Sequence, residues 1–122
     1  MNDLKTKDDI RQLVEAFYAK AKKDDLIAHF FNEVVVFDWE EHIPVVVSFW
    51  EKILLGKGNY QGNPMTKHIA LNQLSPIKKV HFERWLQIWE NTLNELFEGE
   101  KAEEAKERAK SIAAIMQFKL NA

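Results

Sequence analysis

The run Gly56-Lys57-Gly58-Asn59-Tyr60-Gln61-Gly62-Asn63-Pro64-Met65-Thr66-Lys67-His68-Ile69-Ala70-Leu71 is the one long break between two strongly helical halves. It contains three of the four glycines in the chain. Loops of about a dozen residues are uncommon in compact domains and usually serve a function. This one carries Tyr60 and runs into an apolar turn that delivers one histidine, His68. The loop is expected to place His68 against something held between the two halves.

The first half reads as helices. Thr6 and Asp9 form a capping box, after which Ile10, Leu13, Val14, Phe17, Tyr18 and Ala21 recur at helical spacing. Asp24 and Asp25 suit the start of a short second helix holding Leu26, Ile27, Phe30 and Phe31. Val34-Val35-Val36-Phe37 has strand propensity but no partner strand, and reads as an apolar connection. Asp38 is the expected N-cap of the next helix, with Trp39, Ile43, Val46, Val47, Trp50, Ile53 and Leu54 on its apolar face and Gly56 as its stop. His42 shares a row with Val46 and Trp50, so it points with the buried face. Pro44 falls within the first two turns, which a helix start tolerates.

After the loop, Asn63-Pro64 reads as an N-cap and first helical residue, and the turn continues through Leu71. Ser75-Pro76 repeats the signature and is expected to open a long helix to about Glu98, ended by Gly99. Its main stripe is Val80, Trp85, Trp89, Thr92, Leu93 and Leu96, widened by Phe82, Leu86, Ile88 and Phe97. The last helix, from about Glu100 to Leu120, buries Ala102, Ala105, Ala109, Ile112, Ala113 and Met116. Glu104 and Arg108 lie on its solvated face. There is no internal repeat and no linker. Residues 1–122 are expected to form one all-α domain of two antiparallel helix pairs with a looser segment between them.

Composition excludes several classes. Net charge is −2, which is no electrostatic footprint for nucleic acid or a membrane surface. With no cysteine, disulfides, thiolate metal sites, a catalytic thiol and covalent haem attachment through Cys-x-x-Cys-His are excluded. No apolar run reaches membrane-spanning length. The N-terminus has no signal-peptide pattern, and a cytoplasmic location is the default expectation. Four Trp and eight Phe are a heavy aromatic load for 122 residues. They call for a dense core or a large flat apolar ligand.

Of the four histidines, His29 and His81 read as structural. The residues three before the histidines are Leu26, Trp39, Met65 and Lys78, so the Glu-x-x-His pairs of a di-iron bundle are absent. His-Glu-x-x-His, a nucleophile elbow and a phosphate-binding loop are absent too. What remains is His42 on an inward helix face and His68 on a turn 26 residues later, placed to face each other across a gap. Phe31, Val46, Trp50 and Trp85 supply apolar walls, and Tyr18 adds a phenol. A flat macrocycle whose iron takes an axial imidazole suits that gap. A bundle with a satisfied polar cluster and no cofactor suits the same residues.

In order and at compatible spacing, several motifs resemble the truncated haemoglobins, and among them group III. These are Phe17-Tyr18 before a basic stretch, Asp25, Phe31, Glu41-His42, Phe49-Trp50, Leu54-Leu55-Gly56-Lys57-Gly58-Asn59-Tyr60, Lys67-His68, and His81-Phe82-Glu83-Arg84-Trp85-Leu86. The likeness runs from about Ile10 to the C-terminus. It implies a two-over-two helical sandwich around haem b, with a loop-presented proximal histidine. His68 would then be the axial ligand of the haem iron. Tyr18, His42 and Trp85 would lie on the distal side, where dioxygen, nitric oxide or another diatomic binds, and Phe31, Val46, Trp50 and Trp85 would line the cofactor. Pro44 departs from the pattern and restrains His42. The likeness also allows redox chemistry on nitric oxide or peroxide, with an electron-donating reductase as a partner for it. A haem-based sensor or storage module and a cofactor-free helical interaction domain are the alternatives.

Overall fold

The computed structural model describes residues 1–34, 38–58, 60 and 62–120. Five α-helices follow one another: α1 (Lys7–Ala21), α2 (Trp39–Leu55), α3 (Pro64–Leu74), α4 (Lys79–Leu96) and α5 (Glu100–Leu120). Among the described residues there is no strand. The expected connection at Val34–Phe37 lies partly outside the described residues, since 35–37 are not among them; Val34 closes a π-helical turn, Phe30–Val34. The expected short helix starts later than Leu26: Leu26 and Ile27 lie in a turn, and the chain is helical from Ala28 into this π-turn, which carries Phe30 and Phe31. The Asp24 carboxylate turns the chain there by accepting from the N–H groups of Leu26 (3.0 Å) and Ile27 (3.2 Å).

Local chemistry explains most helix ends. Thr6 Oγ1 accepts from Asp9 N at 3.2 Å, and Asp9 Oδ2 accepts from Thr6 N at 3.0 Å, so the expected box is closed in both directions. Asp38 Oδ1 caps α2 through Glu40 N at 3.1 Å, and the helix runs on through Pro44. Gly56 ends it with φ of 66°, a left-handed conformation that glycine adopts without a Cβ penalty. Asn63 Oδ1 accepts from Thr66 N at the start of α3.

The start and end of α4 differ from expectation. Ser75-Pro76 lies outside any helix, and α3 extends instead to Leu74. The first turn of α4 is set by His81, whose Nδ1 accepts from Lys78 N at 2.9 Å. The imidazole thus does what Glu or Gln does in an ordinary capping box, which sequence pattern does not reveal. Val80 is half exposed, so the buried stripe begins only at Phe82. The helix stops at Leu96, before Gly99.

Gly99 has a different task. Its φ is 133°, and a Cβ there would stand 2.5 Å from Asp3 Cγ. The N-terminal strap crosses this corner closely. Asp3 accepts from Lys101 N (2.9 Å) and Ala102 N (2.8 Å), capping α5 from the far end of the sequence. Leu4 beside it is fully buried. Burial alone would raise the Asp3 pKa; the three backbone N–H groups it accepts from, with Lys5, outweigh that and hold it low. Replacement of Asp3 by Ala is expected to lower unfolding stability by about 1 kcal/mol, the usual loss for a helix cap. Because the folded pKa is depressed, the contribution is full above about pH 4 and is lost as pH falls through the folded value. Urea titrations of both proteins at neutral and acid pH should show the gap close on acidification.

α1 packs against α2 and against α4, and α4 packs against α5; α2 and α3 also touch α5. The core is one cluster, with Leu13, Val14 and Phe17 from α1, Val47, Trp50 and Leu54 from α2, Trp89 and Leu93 from α4, and Ala105 and Ala109 from α5. The alanine face of α5 lets it approach α4 closely enough for Trp89 Nε1 to donate to Ala105 O at 3.2 Å. Trp89 stacks on Trp50, with centroids 4.7 Å apart, and lies parallel to Trp85 at 6.0 Å. No helix among the described residues is long and apolar enough to cross a membrane.

Candidate functional site

α3 is unlike the other helices. None of its described side chains is fully buried. Pro64, His68, Ala70, Leu71 and Leu74 line a cleft of about 590 Å³. That volume lies within the usual range for small-molecule and cofactor sites, about 300–1,000 Å³. All seven residues that the sequence points to, Tyr18, Phe31, His42, Val46, Trp50, His68 and Trp85, line this one cleft. They come from α1, the π-turn, α2, α3 and α4.

His68 stands in the second turn of α3. Its Nδ1 lies 2.7 Å from the Pro64 carbonyl oxygen, one turn back. A carbonyl only accepts, so Nδ1 carries the proton and Nε2 carries the lone pair. Burial pushes the His68 pKa down, opposed by the Pro64 hydrogen bond. The imidazole is therefore neutral at pH 7, the form that binds metals. Its hydrogen-bond partner is a neutral carbonyl and not a carboxylate, so the ring gains only modest basicity from it.

In the same cleft, His42 Nε2 and Tyr18 Oη are 3.0 Å apart. Burial raises the Tyr18 pKa strongly, so its phenol stays protonated. Burial lowers the His42 pKa, and the charge of Lys67 and the His68 ring lower it further. Tyr18 is packed edge-on by Phe17 (5.1 Å), Phe31 (5.7 Å) and Trp39 (5.2 Å). Trp85 lines the cleft, and its indole N–H has no hydrogen-bond acceptor among the described residues. The distal candidates thus hold two donors and a neutral imidazole in an aromatic cage.

Tyr60, Lys67, Phe30 and His81 also line the cleft without having been assigned to the site. Tyr60 and Lys67 stand in the loop and Lys67-His68 motifs and His81 opens the motif that holds Trp85, while Phe30 carried no such signal beyond its neighbours. His81, read as structural, both caps α4 and faces the cleft; the His29 ring lies 5.8 Å from it. Beneath this rim, Arg84 Nη1 donates to Asp24 Oδ1 at 2.8 Å, tying α4 to the turn before Phe30.

Fold and cleft together define an all-helical protein with imidazoles in an aromatic and aliphatic cleft. Comparison with known proteins gives its family. A family model described as bacterial-like globin matches residues 3–119. The group 3 truncated hemoglobin ctb of Campylobacter jejuni is 35% identical over 111 residues, which span 88% of this chain and 85% of that protein. The crystal structure of group III truncated hemoglobin from Campylobacter jejuni superposes with a TM-score of 0.83 at 35% identity, over 98% of this chain and 95% of that one. The chain belongs to the bacterial-like globin family, among the group III truncated haemoglobins. Its fold is accordingly the two-over-two helical sandwich.

Membership of this family implies a haem cofactor, and the residues present fit one. Among the described residues no three His, Cys, Asp or Glu side chains converge as a metal-binding group. A haem iron would bring most of its ligands in the macrocycle, and the His68 imidazole in the cleft fits such a group. The cleft walls are aromatic and aliphatic, as a porphyrin face requires.

Proposed function

We propose that the chain is a haem b protein that binds dioxygen, nitric oxide or a similar diatomic ligand, with His68 as the axial ligand of the iron. It performs redox chemistry on nitric oxide or peroxide when an electron donor such as a reductase is supplied. Bound haem, held by His68, would supply the iron that takes up the small ligand and a path for electrons. The observation that carries the reading is the His68–Pro64 bond, which leaves the Nε2 lone pair free in the cleft that the Tyr18–His42 pair also lines.

The chain's own residues then act on the ligand. A diatomic that gains negative charge accepts hydrogen bonds, and Tyr18 O–H and Trp85 N–H are the donors in the cleft. Tyr18 has one proton. When it donates to the ligand, His42 must present Nε2–H to Tyr18 Oη; when His42 Nε2 is the lone pair, Tyr18 donates to His42 instead. The His42 tautomer therefore switches the phenol between ligand and base. Phe31, Val46 and Trp50 exclude water, which strengthens each of these bonds.

Titrating the protein with hemin tests this reading. A saturable Soret band at one hemin per chain is expected, and a protein that stays colourless would refute the haem assignment. In the loaded ferrous protein, Tyr18→Phe combined with Trp85→Phe should raise the dioxygen off-rate at least ~10-fold, because a hydrogen bond to a charged acceptor is worth about 1.5–3 kcal/mol and ~1.4 kcal/mol is tenfold. An unchanged off-rate by flash photolysis or stopped flow would remove the donor argument.

A further inference from the structure

Tyr18 is not a dead end. Its ring meets Trp39 with centroids 5.2 Å apart, and Trp39 leaves the cleft altogether. Together with Arg11, Glu15, Glu40, Ile43 and Pro44 it lines a separate groove on the surface between α1 and α2. We propose that Tyr18 and Trp39 form a one-electron relay from the haem cleft to this groove, where small phenols or aromatic amines are oxidised at the expense of hydrogen peroxide. The proposal rests on the haem reading above.

The geometry selects this route over the others. Oxidising a buried phenol requires a base for its proton, because a phenol cation is too acidic to persist. Tyr18 has that base in His42 Nε2, 3.0 Å away. The Trp85–Trp89–Trp50 stack is also in contact with the cleft, but it leads inward: Trp89 and Trp50 are in the core. A path onward from Trp50 to Tyr60 passes through Phe49, whose ring resists one-electron oxidation. Phe17 likewise stands between Tyr18 and Trp89. Among the described residues, the Tyr18–Trp39 contact is the one that joins two oxidisable rings and ends at a groove open to solvent.

The steps balance. Hydrogen peroxide, consumed at the bound haem, takes up two electrons and two protons and yields two waters. Each electron comes from Tyr18, whose phenolic proton moves to His42 Nε2, leaving a neutral tyrosyl radical. Trp39 then gives an electron to Tyr18, the proton returns from His42 to Tyr18 Oη, and the indole proton of Trp39 leaves to water. Lys22 Nζ lies 5.9 Å over the Trp39 ring and disfavours a cation there, so the neutral indolyl radical is the form held. A phenol in the groove returns one electron and one proton to Trp39 and departs as a phenoxyl radical. Two such turns use one peroxide. The groove suits that donor class: Trp39, Ile43 and Pro44 give an apolar floor for a ring, while Arg11, Glu15 and Glu40 can bind its hydroxyl or amine.

The experiment uses hemin-loaded protein, its Soret band recorded before any peroxide is added. A peroxide pulse without donor is followed by peptide mass mapping and freeze-quench electron paramagnetic resonance. Oxygen adducts are expected on Trp39, and 2-methoxyphenol should suppress them while being oxidised. Trp39→Phe, which keeps a ring against Tyr18, should keep the Soret band, lower 2-methoxyphenol oxidation roughly tenfold, and leave a tyrosyl signal that disappears in Tyr18→Phe/Trp39→Phe. Unmodified Trp39 together with wild-type phenol oxidation by Trp39→Phe, in protein with an intact Soret band, would overturn the relay. Absence of the Soret band at the outset would instead overturn the haem reading.

Discussion

Replacement of His68 by glycine is expected to abolish stable haem binding, and free imidazole is expected to restore it. The Soret-detected affinity should fall at least ~100-fold, since removing even an outer partner of a metal ligand commonly costs about 10–100-fold. The reason is specific to this cleft. The His68 Nδ1 is held by a backbone carbonyl within its own helix, at 2.7 Å, so its Nε2 is preorganised. His42 is engaged by Tyr18, and His81 by the N-cap of α4. Glycine leaves a space shaped for an imidazole, so rescue by added imidazole separates a lost ligand from a lost fold. The affinity of the native protein should also weaken on acidification, because protonation of the imidazole competes with metal for Nε2, and burial, which holds the His68 pKa down, delays that loss. A variant that binds hemin as tightly as the native chain, with the same spectrum, would take the axial role away from His68.

The second large effect concerns the floor beneath the cleft. Trp89→Ala is expected to lower unfolding stability by about 3–5 kcal/mol. Trp89 is 2% exposed, is packed edge-on by Phe17 at 5.4 Å, and donates to Ala105 O. Its removal opens a core cavity and also withdraws the surface on which Trp50 and Trp85 rest. A chain of this length has a total stability on the order of 5–15 kcal/mol, so the variant should sit close to unfolding and bind hemin poorly. Trp89→Phe keeps most of the apolar volume and should lose about half as much. Urea unfolding of the three proteins, with hemin titration alongside, checks both parts. A loss under ~1 kcal/mol for the alanine variant would mean the core refills around the site.

Much of the fold was legible because helices announce themselves locally. The capping box of Thr6 and Asp9, the Asp38 cap, the Gly56 stop and the alanine face of α5 are short-range signals, and all are present in the structure. The errors fall where a helix end depends on something less local or less usual. Ser75-Pro76 resembled a start, yet α4 begins four residues after Ser75 because the His81 ring supplies the cap. Val80 matched the apolar stripe but is exposed, since the stripe faces the core only from Phe82. The strap at Met1–Leu4 carried no pattern at all, because its partners at Gly99, Lys101 and Ala102 lie about a chain length away.

The candidate site divides the same way. Spacing alone put His42 in the row of Val46 and Trp50, because a helix repeats every 3.6 residues whatever surrounds it. Spacing also singled out His68 behind its loop. It could not place Tyr18 at 3.0 Å from His42, set Trp39 against Tyr18, or show that His68 is tied to Pro64. The sequence by itself determined which segments become helices and which residue types each presents inward, since period and capping are properties of neighbouring residues. The tertiary structure decided which of those residues meet, because contact between elements depends on crossing angles and on side-chain volumes at the α1–α2 and α4–α5 seams. Packing, and not periodicity, brought a phenol, two imidazoles and an indole from four helices to one cleft.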